Sequence, residues 1–184
     1  MTYPISILGT PELRKVAEQI TPEYPDIQNI IKNMWDTMYA SDGVGLAAPQ
    51  VGKSISLFVV DASSGADEEP SLQDFRKVFI NPEIYDSSDK AVHFNEGCLS
   101  LPGIHEDVLR PVTISMRYLD ENFEPCDETF TGFAARVIQH EYDHLQGKVF
   151  TDHLSPLRKS LLKGKIMGLA KGKFKASYKF KLPK

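Results

Sequence analysis

Apolar residues recur with helical spacing in the first quarter of the chain and again near its end. The earlier segment predicts a helix that ends before Gly43 and has an apolar face formed by Ile27, Ile30, Ile31, Met34, Trp35 and Met38. Thr10 followed by Pro11 is typical of the start of a shorter helix nearer the N-terminus. The sequence therefore predicts one short and one longer helix before Gly43.

The last predicted helix begins at Ser155 and Pro156, and one of its sides is apolar. That side is formed by Leu157, Leu161, Leu162 and Ile166. Glycine disfavours a helix interior, and three glycines follow in this segment, Gly164, Gly168 and Gly172. Irregular structure is therefore predicted beyond Lys171.

Short apolar runs between these helices predict β-strands at residues 55–61, 78–82 and 112–119. A turn at residues 120–122 leads into a further strand around residues 128–130. Residues 62–76 are rich in Ser, Gly and acidic side chains, which is typical of a surface loop. We therefore expect an α+β fold, with antiparallel β-sheets around a central helix and with a C-terminal helix.

The central helix, predicted from about Gly132 to Gln146, contains the chain's strongest chemical signal, the sequence HEYDH at residues 140–144. Histidines at positions i and i+4 share one helix face, so the rings of His140 and His144 can bind the same metal ion. Glu141 lies beside the first ring and can accept a proton from water at that metal. Hydrolytic metal sites use this arrangement, so the motif predicts a metal centre on the helix.

A catalytic metal site normally needs a third protein ligand. No Glu follows Glu141 in the chain, and Phe150 stands where one zinc-protease pattern has its third His. The upstream candidates are several carboxylates together with Cys98, Cys126, His93 and His105. By spacing alone, Cys98 is either the third ligand or a buried structural thiol.

Three segments together resemble the signatures of bacterial peptide deformylase: GVGLAAPQ at residues 43–50, EGCLS at residues 96–100 and QHEYDH at residues 139–144. Their order and separation fit that family, as does the N-terminal segment at residues 7–14. The resemblance covers residues 5 to about 160 and shows no departure at any catalytic position.

The resemblance implies that Cys98, His140 and His144 hold one divalent metal ion with water as the fourth ligand. It implies that the chain is a hydrolase removing the formyl group from the N-terminal formylmethionine of newly synthesised polypeptides. Glu141 would act on the metal-bound water as general base and then as general acid. Ferrous iron (Fe²⁺) is the expected native metal, with Zn²⁺, Ni²⁺ or Co²⁺ able to substitute, and the spacing alone does not distinguish among them.

The resemblance also assigns groups that contact the substrate. The Gln50 side-chain amide and the Leu99 backbone N–H are the expected donors to the carbonyl oxygen as it gains charge. A lone Gln after an Ala-Ala-Pro turn would otherwise be read as capping a strand. Backbone groups of Gly45 are expected to pair with the extended peptide, as an added strand would.

An apolar pocket for methionine is expected at Val44, Phe133 and Val137, each of which is otherwise an ordinary core residue. Glu96 and Arg110 are a candidate ion pair that fixes the strand leading to Cys98. The alternative for such a pair is a solvated bridge on the surface.

A chain of 184 residues with 41% hydrophobic content fits a single globular unit. We expect a deformylase-like catalytic domain over residues 1–170 and a basic C-terminal tail over residues 171–184. The N-terminus lacks a basic start and a long apolar run, so no signal peptide and no membrane contact are expected. Two cysteines provide no disulfide framework, which favours the cytoplasm.

Charge is distributed unevenly along the chain. Ten of its 21 basic residues follow Asp152, whereas all 25 acidic residues precede position 153. A basic C-terminus on an acidic body predicts a polyanionic partner, and for a deformylase acting on nascent peptides that partner is the ribosome. The alternative is a solvated helix face with a loose end. No contact with DNA is expected.

Two alternative functions are compatible with the metal-binding helix alone. A zinc endopeptidase or aminopeptidase would need a downstream Glu or His ligand, which the chain lacks. A structural metal-binding module would need a fourth protein ligand and would leave Glu141 without a role.

Overall fold

Three α-helices organise the chain in the computed structural model, which describes residues 1–184. They are α1 (Ile27–Ala40), α2 (Gly132–Leu145) and α3 (Pro156–Ala170). Short 3-10 turns lie at Pro11–Arg14, Ala48–Val51, Ser63–Gly65, Pro70–Leu72 and Phe150–His153. The helix predicted after Thr10 is therefore a single 3-10 turn. None of the helices is both long and apolar enough to cross a membrane.

Nine strands complete the fold. They are β1 (Ile5–Ser6), β2 (Gly45–Ala47), β3 (Leu57–Asp61), β4 (Arg76–Ser87), β5 (Ala91–Gly97), β6 (His105–Pro111), β7 (Thr113–Leu119), β8 (Pro125–Thr131) and β9 (Phe180–Lys181). The main sheet is antiparallel throughout, in the order β2-β3-β4-β7-β8. Strands β5 and β6 form a separate antiparallel pair. The predicted α+β class is confirmed.

Helix α2 is the centre of the molecule. Ten of its 14 residues are buried, and its apolar side packs against the main sheet. Phe58, Phe79 and Ile138 belong to the same buried cluster, which explains why a helix that also carries His and Glu is held in the interior. Because α2 is fixed along its length, the side chains at residues 140–144 have defined positions.

The C-terminal residues do not all form the irregular structure that the glycines predict. Helix α3 ends at Ala170, after which Gly172 adopts a left-handed backbone conformation with φ of 70°. The chain then returns to the body, where β9 pairs in parallel with β1. Phe174 and Leu182 pack against a buried apolar cluster. The tail is therefore part of the folded unit.

Candidate active site

Two structural elements bring three potential metal ligands together. Helix α2 places His140 and His144 on one face, and the turn that follows β5 places Cys98 against them. One ligand atom from each residue lies within 4.8 Å of the others. The Cys98 Sγ lies 3.4 Å from the His144 Nε2. The structure therefore brings Cys98, the candidate that spacing left open, together with both histidines, and these three residues form the candidate metal cluster.

The donor atoms of this cluster fit a divalent metal ion. The Nδ1 of His140 is 2.8 Å from the Glu96 carboxylate, which leaves its Nε2 for a ligand, as supporting carboxylates do at metal-bound histidines. Burial lowers the pKa of His144 to about 3, so this ring is the neutral form that metals bind. Burial opposes protonation of His140 as well, but hydrogen bonds to Cys98 and Glu96 raise its pKa well above the ordinary value. The cluster thus favours positive charge, which a divalent ion would supply.

Glu141 is buried beside this cluster with a carboxylate oxygen free. Its Oε2 has no hydrogen-bond partner. Burial, together with the negative charges of Glu96 and Asp143, raises the pKa of Glu141 to about 7, against the opposing effect of His140 and Arg110. A carboxyl group with this pKa can both accept and release a proton near neutral pH.

Gln50 is fully buried, and the two ends of its side-chain amide have different partners. Its Oε1 accepts a hydrogen bond of 2.9 Å from the Ala47 N–H and so fixes the turn after β2. Its Nε2 lies at the opposite end of the amide from this turn, 3.4 Å from the Cys98 Sγ and 3.3 Å from the Ser100 Oγ. The NH₂ group of Gln50 therefore lies next to Cys98 of the candidate metal cluster.

Glu96 and Arg110 form the buried version of the pair that the sequence suggested. Arg110 donates two hydrogen bonds of 2.8 and 3.0 Å to the Glu96 carboxylate, and both side chains are about 5% exposed or less. Arg136 donates a third, of 2.8 Å. Burial opposes ionisation, yet hydrogen bonds from His140 and Arg110 hold the pKa of Glu96 well below its usual range. The carboxylate is therefore ionised and holds the ring of His140 through its Nδ1.

Asp143 contacts the charged residues behind the candidate ligands. It is buried and accepts hydrogen bonds of 2.8 Å from Arg110 and 2.7 Å from His153. Asp143 thus extends the charged network behind the metal cluster.

A cleft of about 470 Å³ opens in front of the cluster. Its wall includes the three predicted methionine-pocket residues Val44, Phe133 and Val137. It also includes Gly45, Gln50, Leu99 and Glu141. All the predicted substrate-contacting residues therefore line one cavity that is continuous with the metal cluster.

The backbone of Gly45 faces away from the main sheet. The Asp61 N–H donates to the Val44 carbonyl, which makes the next pair, Gly45 and Val60, a non-hydrogen-bonded pair of the antiparallel ladder. The peptide groups of Gly45 therefore point from edge strand β2 towards the cleft, where a peptide in extended conformation can pair with them.

The other predicted ligand candidates lie elsewhere. Cys126 is on β8 with its Sγ near the Glu124 carbonyl, and His93 is exposed on β5. His105 lines the cleft, where its ring packs against Gly97, but it does not join the metal cluster.

Three residues of the site were missed from the sequence: Arg136, His153 and Tyr178. Arg136 lies four residues before His140 on α2, so helical spacing was a usable signal. His153 and Tyr178 reach the site through tertiary structure, and no sequence pattern points to them. Tyr178 lines the cleft and donates a hydrogen bond of 2.7 Å to the Leu99 carbonyl.

Comparisons with known proteins agree with this geometry. The model of the family described as polypeptide deformylase matches residues 2–160. A peptide deformylase of Christiangramia forsetii is 48% identical over 190 residues, covering 100% of this chain and 97% of that protein. A crystal structure of a peptide deformylase from Legionella pneumophila superimposes with a TM-score of 0.81 at 36% identity, covering 93% of this chain and 96% of that one. A Plasmodium falciparum peptide deformylase in complex with an inhibitor has a TM-score of 0.79 at 33% identity, with 91% and 99% coverage.

Proposed function

Because the chain belongs to the peptide deformylase family, a group of metal-dependent hydrolases that remove the formyl group from N-terminal methionine, we propose a specific role for each residue of its cleft. Cys98, His140 and His144 hold one divalent metal ion, and Glu141 transfers the protons. When bound, the ion polarises the formyl carbonyl and makes water nucleophilic at neutral pH. The observation that carries this proposal is the unpaired, buried Glu141 carboxylate directly beside the three converging ligand atoms.

Glu141 is the general base and then the general acid. Its Oε2 accepts a proton from the attacking water and returns it to the amine of the methionine as the C–N bond breaks. The products are formate and a peptide with a free N-terminus. A pKa of about 7 suits both transfers, since neither protonation state is strongly disfavoured.

Two donors stabilise the negative charge that develops on the formyl oxygen. One is the Gln50 Nε2, which faces the cluster. The other is the N–H of Leu99, a residue that lines the cleft, and this N–H forms no hydrogen bond within the protein. Removing one donor of this kind typically lowers turnover by roughly 100- to 1000-fold.

The remainder of the cleft binds the peptide. Gly45 pairs with its backbone from the open edge of β2, and the methionine side chain is received by Val44, Phe133 and Val137. Glu96 and Arg110 do not contact substrate in this scheme; they hold His140 in place from behind.

We further propose Fe²⁺ as the native metal, with Zn²⁺, Ni²⁺ or Co²⁺ as functional substitutes. One thiolate and two imidazoles form a donor set that all four ions accept. Metal analysis of protein purified without oxygen tests this, and protein that contains stoichiometric zinc and no iron would contradict it.

For the organisation of the chain, we propose that residues 1–170 carry the metal and proton-transfer groups and that residues 171–184 form a basic tail packed on them. Cytoplasmic location fits a site that needs a free thiol, since both cysteines are unpaired.

The nascent peptide emerges from the ribosome, and we propose that the basic C-terminal region contacts the ribosome. Lys159 and Lys163 on α3 are exposed and form no ion pair, and the same helix exposes Leu157 and Leu161 by 70% and 66%. Substituting both lysines with Ala should flatten the salt dependence of ribosome binding by about one unit of slope for each phosphate that is no longer neutralised. Lys90→Ala, at an exposed lysine outside the C-terminal region, is the control. An unchanged slope in the double variant would contradict the proposed interaction.

The central test measures formate release from formyl-Met peptides beside acetyl-Met peptides. Glu141→Gln should keep the metal and lose turnover by a factor of about 100 to 10,000. Cys98→Ala should lose the metal, whereas Cys126→Ala should keep metal and activity. Peptide-bond cleavage without formate release would show an endopeptidase instead.

A further inference from the structure

The C-terminal tail is anchored beside the cleft by backbone hydrogen bonds. The Ile5 N–H donates to the Lys179 carbonyl at 2.8 Å, and the Ile7 N–H donates to the Lys181 carbonyl at 2.9 Å. This short parallel pairing fixes the residues immediately before it, and residues 175–178 consequently form part of the cleft wall.

Tyr178 connects this anchored segment to the candidate active site. Its ring is half-buried against the same apolar cluster that Leu99 contacts, and its hydroxyl donates a hydrogen bond of 2.7 Å to the Leu99 carbonyl. Burial, aided by the nearby Cys98 sulfur, raises the pKa of Tyr178 to about 12. The hydroxyl is therefore protonated, and remains a donor, at every pH at which the protein would be assayed.

Leu99 lies between two peptide groups, and the carbonyl of each accepts one hydrogen bond. The carbonyl of Cys98, on the preceding peptide, accepts a hydrogen bond of 2.9 Å from the Leu101 N–H. The carbonyl of Leu99, on the following peptide, is held by Tyr178. The Leu99 N–H lies in the same rigid peptide plane as the Cys98 carbonyl, so it changes direction only if that plane turns. The Tyr178 hydrogen bond holds the neighbouring peptide plane and so restricts that turn.

We propose that Tyr178 is a positioning residue that directs the Leu99 N–H into the cleft, so that the tail completes the active site. The inference rests on the proposed function, in which that N–H stabilises the developing negative charge. Tyr178 does not touch the reacting atoms; it acts through Leu99. The tail is then required for full turnover even though the metal and proton-transfer groups all precede residue 171.

Tyr178→Phe tests the proposal, because it removes one hydroxyl and keeps the ring that packs on the apolar cluster. We expect kcat to fall by roughly 3- to 10-fold, the decrease appropriate to one hydrogen bond, with KM changed less than twofold and metal content unchanged. Tyr39→Phe is the matched control: it also removes a hydroxyl that donates a hydrogen bond of 2.7 Å, in that case to Asp61, which does not line the cleft. It should leave kcat unchanged.

A second measurement does not depend on activity. In zinc-loaded protein, amide hydrogen exchange at Leu101, whose N–H donates to the Cys98 carbonyl in the same turn, should be faster in Tyr178→Phe than in wild type and unaltered in Tyr39→Phe. Wild-type kcat and wild-type exchange in Tyr178→Phe would overturn the proposal, as would a change confined to KM or to metal content. The proposed function fails separately, if wild type releases no formate or if Glu141→Gln retains full turnover.

Discussion

The carboxylate of Glu141 occupies the space that a side chain at residue 45 would need. A Cβ atom added to Gly45 would lie 2.6 Å from the Glu141 Oε1 and 2.8 Å from its Cγ, well inside van der Waals contact. Glycine at this position therefore does two things: it lets β2 pass close to the proton-transfer group, and it exposes its own peptide groups to the cleft.

Gly45→Ala should displace the Glu141 carboxylate without removing a ligand. We expect kcat to fall by about 100-fold or more, because general base catalysis is worth roughly that factor, while metal content stays at the wild-type level. Steady-state kinetics and metal analysis on the same preparation measure both. Gly164→Ala is the control, since a Cβ there meets no atom within 4 Å and should leave kcat unchanged. Wild-type turnover in Gly45→Ala would contradict the close packing.

Glu96→Gln should destabilise the protein strongly. The substitution removes the charge that Arg110 and Arg136 share in the interior, and breaking a buried pair of this kind costs about 3–5 kcal/mol. Urea unfolding at neutral pH measures the change in free energy. Asp127→Asn removes the partner of Arg117 in a pair whose side chains are both more than half exposed, so it should cost no more than about 1 kcal/mol. Similar decreases in the free energy of unfolding in the two variants would show that the buried network stabilises the fold no more than an exposed ion pair does.

Removal of the metal should lower the unfolding temperature of the wild type. A ligand present at about 100 times its dissociation constant stabilises the folded state by about 2.7 kcal/mol, which for a domain of this size corresponds to roughly 5–10 °C. Thermal unfolding with and without a chelator gives the shift. It should persist in Cys126→Ala and vanish in Cys98→Ala; a shift that survives in Cys98→Ala would exclude the thiol as a ligand.

Phe79→Ala should be the most damaging single change in the main sheet. Phe79 is fully buried and its ring lies 4.7 Å from that of Phe58 and 4.5 Å from that of Tyr118, measured between centroids. Truncating such a side chain costs about 3–5 kcal/mol, part of it from the cavity left behind. Leu157→Ala, at an exposed position on α3, should change stability by less than about 0.5 kcal/mol. Calorimetry or urea unfolding of both variants makes the comparison, and a small destabilisation in Phe79→Ala would mean that the aromatic cluster repacks.

The local sequence pattern was sufficient to predict features that depend on a single helix or strand. The spacing of His140 and His144 alone sets both rings on one face of α2, because helix geometry brings i and i+4 together whatever surrounds the helix. The apolar face of α1 and the positions of β3, β4, β7 and β8 followed from periodicity and turn residues in the same way, although β4 and β8 are longer than predicted. The segment at residues 62–76 also keeps its predicted loop character, with two short 3-10 turns.

Other parts of the site depend on contacts between distant segments. Spacing left Cys98 as either ligand or structural thiol, since nothing local relates it to a histidine 42 residues later. The resemblance to deformylases favoured it as a ligand, and the packing of the β5 turn against α2 brings the atoms together. Asp143 shows the same limit: no local pattern predicts that Arg110, 33 positions earlier, and His153, 10 positions later, both donate hydrogen bonds to its carboxylate.

By itself, then, the sequence determined the α+β class, the metal-binding helix and the chemistry its residues can perform. Only the tertiary structure decided that Glu96 holds His140, that Gly45 packs against Glu141 and that Tyr178 returns to Leu99 from 79 positions further along the chain. The reason is physical. Helical and strand periodicity are properties of one segment's backbone, whereas these contacts exist only after the sheets and helices have packed together and excluded water.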